Sequence, residues 1–144
     1  MNKLYFITGN ENKLREVKEI IPKIEGLDIS LHEIQSLDPF EIVKHKLTEA
    51  QKHHKGNFIV DDSSLILKCL NNLPGTLIKF FEEAIGLEGI VKIAKLFGDT
   101  SAAARCVIGL SYDGKIELFE GRVEGKVVDL RGSSGFGWDK IFVP

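Results

Sequence analysis

The sequence has little of what marks secreted, membrane-bound or metal-stapled proteins. Its 144 residues include only two cysteines and four prolines, and its longest apolar run is far short of a membrane span. The start, Met1-Asn2-Lys3, leads into only four apolar residues, which is too few for a signal peptide. Cys69 and Cys106 lie in apolar, strand-like runs without the neighbours of a zinc site, so we interpret them as core residues in a reducing compartment. We therefore expect a soluble, cytoplasmic protein without a membrane partner.

An excess of basic residues is also missing. The chain has 19 lysines and arginines against 21 acidic residues, a net charge of −2. Nucleic-acid binding favours a basic excess, so we expect no nucleic-acid partner, although one local basic pocket remains compatible with this balance. The length indicates a single domain, which buries about two thirds of its unfolded surface.

The first informative stretch predicts a strand, a tight turn and a helix. Leu4–Ile7 is a short apolar run, Thr8-Gly9-Asn10 is a turn signal, and apolar residues then recur at helical spacing and predict a helix over 11–22. Two interpretations stay open. Backbone N–H groups, Thr8, Asn10 and Lys13 would suit a phosphate chain at the helix N-terminus. Alternatively, Asn10 is an ordinary N-cap and Lys13 a solvated lysine.

The next elements are a half-buried strand over 26–34 and a helix that begins at Asp38-Pro39. That helix is expected to end near two histidines, with Gly56 as its C′ residue. Phe58-Ile59-Val60 then predicts a buried strand that Asp61 and Asp62 close. Two carboxylates at a strand end suit a magnesium site beside phosphates, but an Asx turn explains them equally well.

The second half predicts a strand over 65–70, a turn over 71–75 and two helices over 76–84 and 87–97. Lys79 stands unusually within an apolar, aromatic run. Asp113-Gly114 predicts a hairpin between two long strands, with Cys106, Ile108 and Leu110 on the apolar face. Gly121 and Gly125 in its second strand indicate a bulge or the close approach of another backbone.

The chain finishes with a glycine-rich segment that carries two aromatic residues and an acid. We expect a loop there, in which Phe136 and Trp138 stack on a flat base and Asp139 accepts from a base edge. The alternative is that Trp138 is an anchor that packs the loop down.

Three separated motifs, in this order and spacing, resemble the inosine/xanthosine triphosphate pyrophosphatase family over essentially the whole chain. They are Thr8-Gly-Asn-Glu-Asn-Lys13, Asp61-Asp-Ser-Ser-Leu65 with Leu73-Pro-Gly75, and Gly132-Ser-Ser-Gly-Phe-Gly-Trp-Asp139. The run Leu73–Phe81 and the Trp at 138 look like the archaeal and eukaryotic branch. The resemblance implies a mixed α/β fold with a long twisted sheet flanked by helices, and two lobes around a central cleft.

The resemblance also implies an activity and a set of partners. The family hydrolyses non-standard purine nucleoside triphosphates, such as ITP, dITP and XTP, to the monophosphate and pyrophosphate, and so cleans the nucleotide pool. It needs Mg²⁺ and usually acts as a homodimer. A pyrophosphatase of the same fold that acts on pyrimidine nucleotides would have Ser and Arg where this sequence has Asn10 and Lys13.

Transferred position by position, the resemblance assigns roles to residues throughout the sequence. The catalytic residues would be Asp62, Lys13 and Asp61, and the metal ligands Glu33 and Asp62. The substrate would contact Thr8, Gly9, Asn10, Lys13, Lys46, Ser63, Lys79, Phe136, Gly137, Trp138 and Asp139.

The sequence departs from the family pattern at three places. Ser64 replaces the usual Gly or Cys, and Lys140 replaces the usual Pro. The family pattern continues beyond the position of Pro144 into a helical tail with a lysine and a Ser-His-Arg triplet. The sequence is therefore expected to be a fragment, a naturally short relative, or a form that a partner completes. The alternative function is a nucleotide-binding or sensing module with little catalysis.

Overall fold

A computed structural model describes residues 3–132 and 135–144. Met1 and Asn2 of the N-terminal stretch, and Ser133 and Ser134 of the glycine-rich motif, lie outside the described residues. Along the chain the elements are β1 (Leu4–Ile7), α1 (Glu11–Ile20), β2 (Glu25–Leu27), α2 (Pro39–His53), β3 (Asn57–Leu67), β4 (Pro74–Gly75), α3 (Ile78–Leu96), β5 (Ser101–Tyr112), β6 (Lys115–Val127) and β7 (Phe142–Val143). Short 3₁₀ helices cover Lys68–Leu70 and Gly137–Ile141.

The strands of the described residues form one seven-stranded mixed sheet. Its order is β2-β1-β3-β5-β6-β7, and β4 pairs with β3 off this path. β1 runs parallel to both β2 and β3, whereas β4 is antiparallel to β3 and β7 is antiparallel to β6. The predicted mixed α/β class with a long mixed sheet is therefore confirmed.

The chain divides into two compact units. The first unit contains the residues up to Asp62 together with Val107–Glu120, and the second contains Ser63–Cys106 with the residues from Gly121 onwards. The unit boundaries fall inside β3 and at positions within β5 and β6. The single nucleotide pyrophosphatase domain over 1–144 and the cleft between lobes stay predictions.

The first unit is built on a core between α2 and the strands. Val43, Leu47 and Ala50 of α2 are fully buried with Phe58 and Val107. α2 begins where the sequence predicted, because the Asp38 side chain accepts from the Phe40 backbone N–H at 2.9 Å and Pro39 follows it. The predicted hairpin is also confirmed, with Asp113 and Gly114 both at positive φ.

The sequence predicted that Cys106, Ile108 and Leu110 form the apolar face of β5, and this prediction is wrong for the part of β5 in the first unit. Val107 and Ser111 are buried, whereas Ile108 is exposed. Gly109 explains the choice of face, because a Cβ there would lie 2.4 Å from a methyl of Val43 on α2. A glycine lets the helix approach this face closely, and Ser111 is satisfied by the Gln51 side chain at 2.7 Å.

Several predicted boundaries also shift. The strand expected over 26–34 is limited to Glu25–Leu27, and residues 28–37 are irregular. α2 ends at His53 with His54 as its C-cap, so Gly56 is not the C′ residue. β3 does not end at the two aspartates but continues to Leu67, and residues 68–70 form a 3₁₀ helix instead of a strand.

The second unit has its own core around α3. Ile78, Ile90 and Ala94 of that helix pack with Leu65 and Ile141. α3 is interrupted at Gly86, which has φ 71° and ψ 171°, in agreement with the two helices that the sequence predicted. Gly125 permits the predicted close approach of another backbone, since its Cβ would lie 2.1 Å from the Val143 carbonyl oxygen.

Gly121 differs from Gly125, because a Cβ at Gly121 would meet nothing within 4 Å. Of the two alternatives predicted for that glycine, the close approach is therefore wrong, and the bulge stays a prediction. Among residues 3–132 and 135–144, none of the helices has the length and apolar character that a membrane span requires.

Candidate functional site

The turn between β1 and α1 is held by its own polar side chains. The Asn10 side chain accepts from the backbone N–H groups of Asn12 at 2.9 Å and Lys13 at 3.3 Å, so Asn10 is the N-cap. The Thr8 hydroxyl accepts from the Asn10 N–H at 3.0 Å, and Gly9 lies exposed between them. The capping interpretation of Asn10 is therefore confirmed. The Thr8 hydroxyl proton and the Asn10 amide N–H₂ remain available as donors, since both side chains use only an acceptor in the turn.

Lys13 is not a solvated lysine. Its ammonium Nζ lies 2.9 Å from Oδ2 of Asp61 in the middle of β3, and the side chains of the two residues are 28% and 13% exposed. This largely buried ion pair joins the first turn of α1 to the third strand. It brings together two of the three residues that were predicted to be catalytic.

Lys46 of α2 contacts one backbone carbonyl group and one carboxylate. Its Nζ donates to the Asp61 backbone carbonyl at 3.0 Å and lies 3.2 Å from Oε2 of Glu33. The Lys46 side chain is 18% exposed and that of Glu33 is 51% exposed. The irregular segment that carries Glu33 is therefore connected through one ammonium group to the middle of β3.

Two histidines that the sequence analysis did not single out lie beside this connection. The rings of His32 and His45 pack edge to face with their centroids 5.8 Å apart. His32 immediately precedes Glu33, and His45 immediately precedes Lys46. The ring contact therefore packs the segment of Glu33 against α2. The two histidines are 13 positions apart, so no local pattern predicts their contact. Their positions next to Glu33 and Lys46 were the only signal in the sequence.

Asp62 is the buried acid of this group. It is 8% exposed, and its Oδ2 finds no hydrogen-bond partner among the described residues. The pKa of Asp62 is raised to about 6: burial is the largest cause, the charges of Glu33 and Asp61 add to it, and those of Lys46 and Lys13 oppose it. An unpartnered carboxylate oxygen in this position is costly for folding, which makes Asp62 a candidate for a functional role.

These acids fit a divalent cation that also binds phosphate. The residues that the structure describes contain no group of three or more His, Cys, Asp or Glu side chains that could hold a metal ion. Mg²⁺ does not need such a group, because it is commonly bound by one or two carboxylates together with waters and substrate phosphates. The unpartnered oxygen of Asp62 and the nearby Glu33 carboxylate supply that donor set.

We call Lys13, Glu33, Lys46, Asp61 and Asp62 the charged cluster. All five belong to the first unit, and their contacts join α1, α2, β3 and the segment before α2. The structure thus brings together the predicted catalytic and metal-binding residues. Their roles stay predictions.

The other predicted substrate residues belong to the second unit. Ser63 follows Asp62 on β3, and Lys79 is exposed on α3. The predicted loop around 137 is partly a 3₁₀ helix, and Gly137 begins it at φ 58°. The Phe136 side chain is partly exposed at its start.

Trp138 behaves largely as an anchor. Its ring packs edge to face against Phe142 with centroids 5.9 Å apart, and it contacts the core of the second unit. Asp139 is exposed and accepts only weakly, at 3.4 Å, from the Phe136 backbone N–H. A cavity of about 330 Å³ is lined by Arg131, Gly132, Gly135, Asp139 and Lys140. The stacking role of Trp138 stays a prediction.

Comparison with known proteins connects this arrangement to one family. The Ham1 family matches residues 4–144. The inosine triphosphate pyrophosphatase of Aspergillus oryzae is 43% identical and covers 98% of this chain and 76% of its own length. That of Schizosaccharomyces pombe is 39% identical and covers 100% of this chain and 79% of its own length.

Solved structures agree with the fold. The Ham1 protein of Staphylococcus aureus has a TM-score of 0.75 at 29% identity, over 97% of this chain and 80% of that chain. A HAM1 protein from Coxiella burnetii has a TM-score of 0.80 at 24% identity, over 99% of this chain and 81% of that chain, which is a likeness of fold alone.

Proposed function

The chain belongs to the Ham1 family, and on that premise we propose that it is an inosine triphosphate pyrophosphatase. It hydrolyses a phosphoric anhydride of a non-standard purine nucleoside triphosphate and releases the monophosphate and pyrophosphate. The support is a set of curated relatives of that name, which are 36% to 43% identical to nearly the whole chain. The activity removes such nucleotides from the pool. ITP is the substrate that these names support, and dITP and XTP are finer parts of the proposal.

The observation that carries the proposal is the charged cluster itself. It combines two lysines with three carboxylates, and one of these, Asp62, is buried with an unpartnered oxygen. Release of pyrophosphate requires neutralisation of a highly charged chain and activation of a water molecule. The cluster offers cations for the first requirement and a carboxylate with a raised pKa for the second.

The lysines and the turn act on the phosphate chain. Lys13 and Lys46 leave their acidic partners and neutralise phosphate oxygens, while Thr8 and Asn10 donate from side chains that the turn already orients. Because these donors are fixed before substrate binds, little reorganisation is needed as charge develops on the leaving pyrophosphate.

Asp62 acts on the water. In the proposal its carboxylate accepts a proton from a water molecule as that water's oxygen bonds to the α-phosphorus, and the bond from the α-phosphorus to the bridging oxygen breaks. The leaving pyrophosphate carries away the electron pair of that bond. A carboxylate with a pKa of about 6 is ionised at neutral pH and can therefore accept the proton. Before substrate binds, Asp61 holds Lys13 in place, and as neighbours on β3 the side chains of Asp61 and Asp62 point to opposite faces of the strand.

Mg²⁺ is the cofactor that the donor set suits, with Glu33 and Asp62 as its protein ligands. When bound, it orients the water and neutralises phosphate charge. The carboxylate of Glu33 remains half exposed on an irregular segment, so it can turn toward a phosphate-bound ion without unfolding a strand or helix.

The residues of the second unit that the resemblance assigns to substrate have the chemistry of nucleoside contacts. Asp139 is exposed and can accept from a base edge, while Phe136 and Trp138 are aromatic and partly exposed. Lys79, also exposed, and Ser63 carry groups that can bind phosphate. The glycine at 137 lets the backbone approach the base closely.

Assembly and location complete the proposal. We expect a homodimer, and exposed apolar side chains such as Ile108, Tyr112 and Phe119 in the first unit offer surface for it. A cytoplasmic location suits a nucleotide-pool enzyme and agrees with two free cysteines. Size-exclusion chromatography with light scattering would distinguish a dimer from a monomer.

The decisive experiment is a panel of nucleoside triphosphates assayed for pyrophosphate release with Mg²⁺. We expect release from ITP, dITP and XTP and far less from ATP, GTP and pyrimidine nucleotides, and chelation of Mg²⁺ should abolish it. Orthophosphate as the product, or a preference for pyrimidine nucleotides, would contradict the proposal. Tight ITP binding without turnover would instead favour a nucleotide-binding or sensing module.

A further inference from the structure

We infer that Lys46 competes with the divalent cation for the same acidic groups, so that the metal binds tightly only when the phosphate chain draws the Lys46 ammonium away. The inference rests on the proposed function, because it takes Glu33 and Asp62 as the metal ligands. It adds a role for Lys46 beyond contact with substrate, namely control of metal affinity.

The contacts of Lys46 carry the inference. Its Nζ lies 3.2 Å from Oε2 of Glu33 and 3.0 Å from the backbone carbonyl oxygen of Asp61. Carboxylate and carbonyl oxygens are also the ligands that hard divalent cations prefer. An ammonium group and a metal ion cannot both remain in contact with one carboxylate oxygen without strong repulsion between the two cations.

The same ammonium also acts on Asp62. Asp62 immediately follows Asp61, whose backbone carbonyl oxygen accepts from Lys46 at 3.0 Å, and Lys46 lowers the Asp62 pKa more than Lys13 does. The Lys46 side chain is only 18% exposed, so its charge is poorly screened by water. The Lys46 ammonium therefore stabilises the ionised carboxylates of both Glu33 and Asp62, which a bound metal ion would also do.

This arrangement contributes little to the stability of the fold. The Glu33 carboxylate is 51% exposed, and ion pairs at such positions have small free energies. The segment that carries Glu33 is nevertheless packed against α2 by the ring contact between His32 and His45. The Lys46–Glu33 ion pair is therefore kept in position by its surroundings, but it contributes so little free energy that another ion can replace it.

Lys13 provides a matched control within the same cluster. It is also partly buried and also paired with an acid, but its partner is the Asp61 carboxylate, which is outside the proposed pair of ligands. Replacing either lysine with methionine removes one positive charge and keeps a long apolar side chain. A purely long-range electrostatic effect would raise metal affinity similarly in both variants.

The test is titration of the full chain with Mn²⁺ alone, without nucleotide, by calorimetry or electron paramagnetic resonance. We expect Lys46→Met to bind Mn²⁺ at least about tenfold more tightly than the unmodified chain and Lys13→Met to differ by less than about threefold, since the Lys46 ion pair is with the proposed ligand Glu33 and that of Lys13 is with Asp61. Lys46→Arg keeps the charge and should not bind more tightly than the unmodified chain.

Three outcomes overturn the inference: equal tightening in both methionine variants, no tightening or weaker binding in Lys46→Met, and no Mn²⁺ binding by any of the proteins. If Lys46→Met does not fold, Lys46→Gln provides the same comparison, with circular dichroism to check its structure. Pyrophosphate release from ITP is measured on the unmodified chain in parallel. Its absence alongside the expected Mn²⁺ ranking refutes the proposed function and leaves the inference standing, whereas release without the ranking refutes the inference alone.

Discussion

The charged cluster of the first unit differs in how its side chains are held from residues 136–139 of the second unit, which we call the aromatic segment. Lys13 and Lys46 are held by acidic partners from distant parts of the chain. Trp138 packs on Phe142, four residues away, and on the core of the second unit, and Asp139 accepts from the nearby Phe136 backbone N–H. The phosphate-directed lysines are therefore held by ion pairs between separate elements, whereas in the base-directed segment Trp138 is held by apolar packing and Asp139 remains exposed.

The largest effect should come from the buried acid of the charged cluster. Asp62→Asn is expected to lower the turnover number for ITP by about 10³-fold or more, because the amide cannot accept the proton from water. Nucleotide binding, measured by calorimetry, should persist. Glu49→Gln is the control, since Glu49 pairs with Lys52 within α2, outside the charged cluster, and should leave turnover nearly unchanged. Near-normal turnover in Asp62→Asn would remove Asp62 from the mechanism.

A somewhat smaller effect is expected at the α1 end of the cluster. Lys13→Met should lower kcat/KM for ITP by about 10²-fold, since it removes one fixed cation from the phosphate chain. The loss should be about the same for binding of bare tripolyphosphate, which has no base. A variant that binds tripolyphosphate normally would show that Lys13 only supports Asp61.

In the aromatic segment, a substitution should weaken binding of the nucleotide but not of tripolyphosphate. Trp138→Ala is expected to weaken nucleotide binding by roughly 1–3 kcal/mol, as for the loss of one base stack. Tripolyphosphate binding should change little. Equal losses for both ligands would mean that Trp138 acts only as the anchor that its contact with Phe142 suggests.

The smallest effect tests packing rather than chemistry. Gly109→Ala in β5 should destabilise the protein by about 1–3 kcal/mol, because its Cβ would lie 2.4 Å from Val43 and 2.7 Å from Leu47. Gly121→Ala in β6 meets nothing within 4 Å and should change the unfolding free energy by less than about 0.5 kcal/mol. Urea unfolding measures both, and equal effects would contradict the close approach of α2.

Local signals in the sequence predicted the local parts of the fold. The turn residues 8–10, the helix start at Asp38-Pro39 and the hairpin at Asp113-Gly114 were all correct, because each depends on backbone preferences of a few adjacent residues. The interruption of α3 at Gly86 was predictable for the same reason.

Non-local contacts account for the errors. Asp61 and Asp62 are poor strand formers and indicated a strand end, but ion pairing and burial keep them inside β3. The face of β5 was misassigned because Gly109 and Ser111 face α2 for reasons that only the packed helix reveals. Among the site residues, the connecting position of Lys46 could not be predicted, since it depends on where an irregular segment places Glu33.

The most direct test of the account is the pH dependence of stability in Asp62→Asn. The folded protein raises the Asp62 pKa from 3.8 to about 6, so the protonated form is favoured. The stability that this form contributes is fully present below about pH 3.8 and is lost as pH rises through about 6. The asparagine variant should therefore match the unmodified chain near pH 4 and exceed it at pH 8 by about 1–3 kcal/mol, despite its loss of turnover. An asparagine variant that is less stable at pH 8 would show that Asp62 is a structural residue and would contradict its assignment as the catalytic base of the cluster.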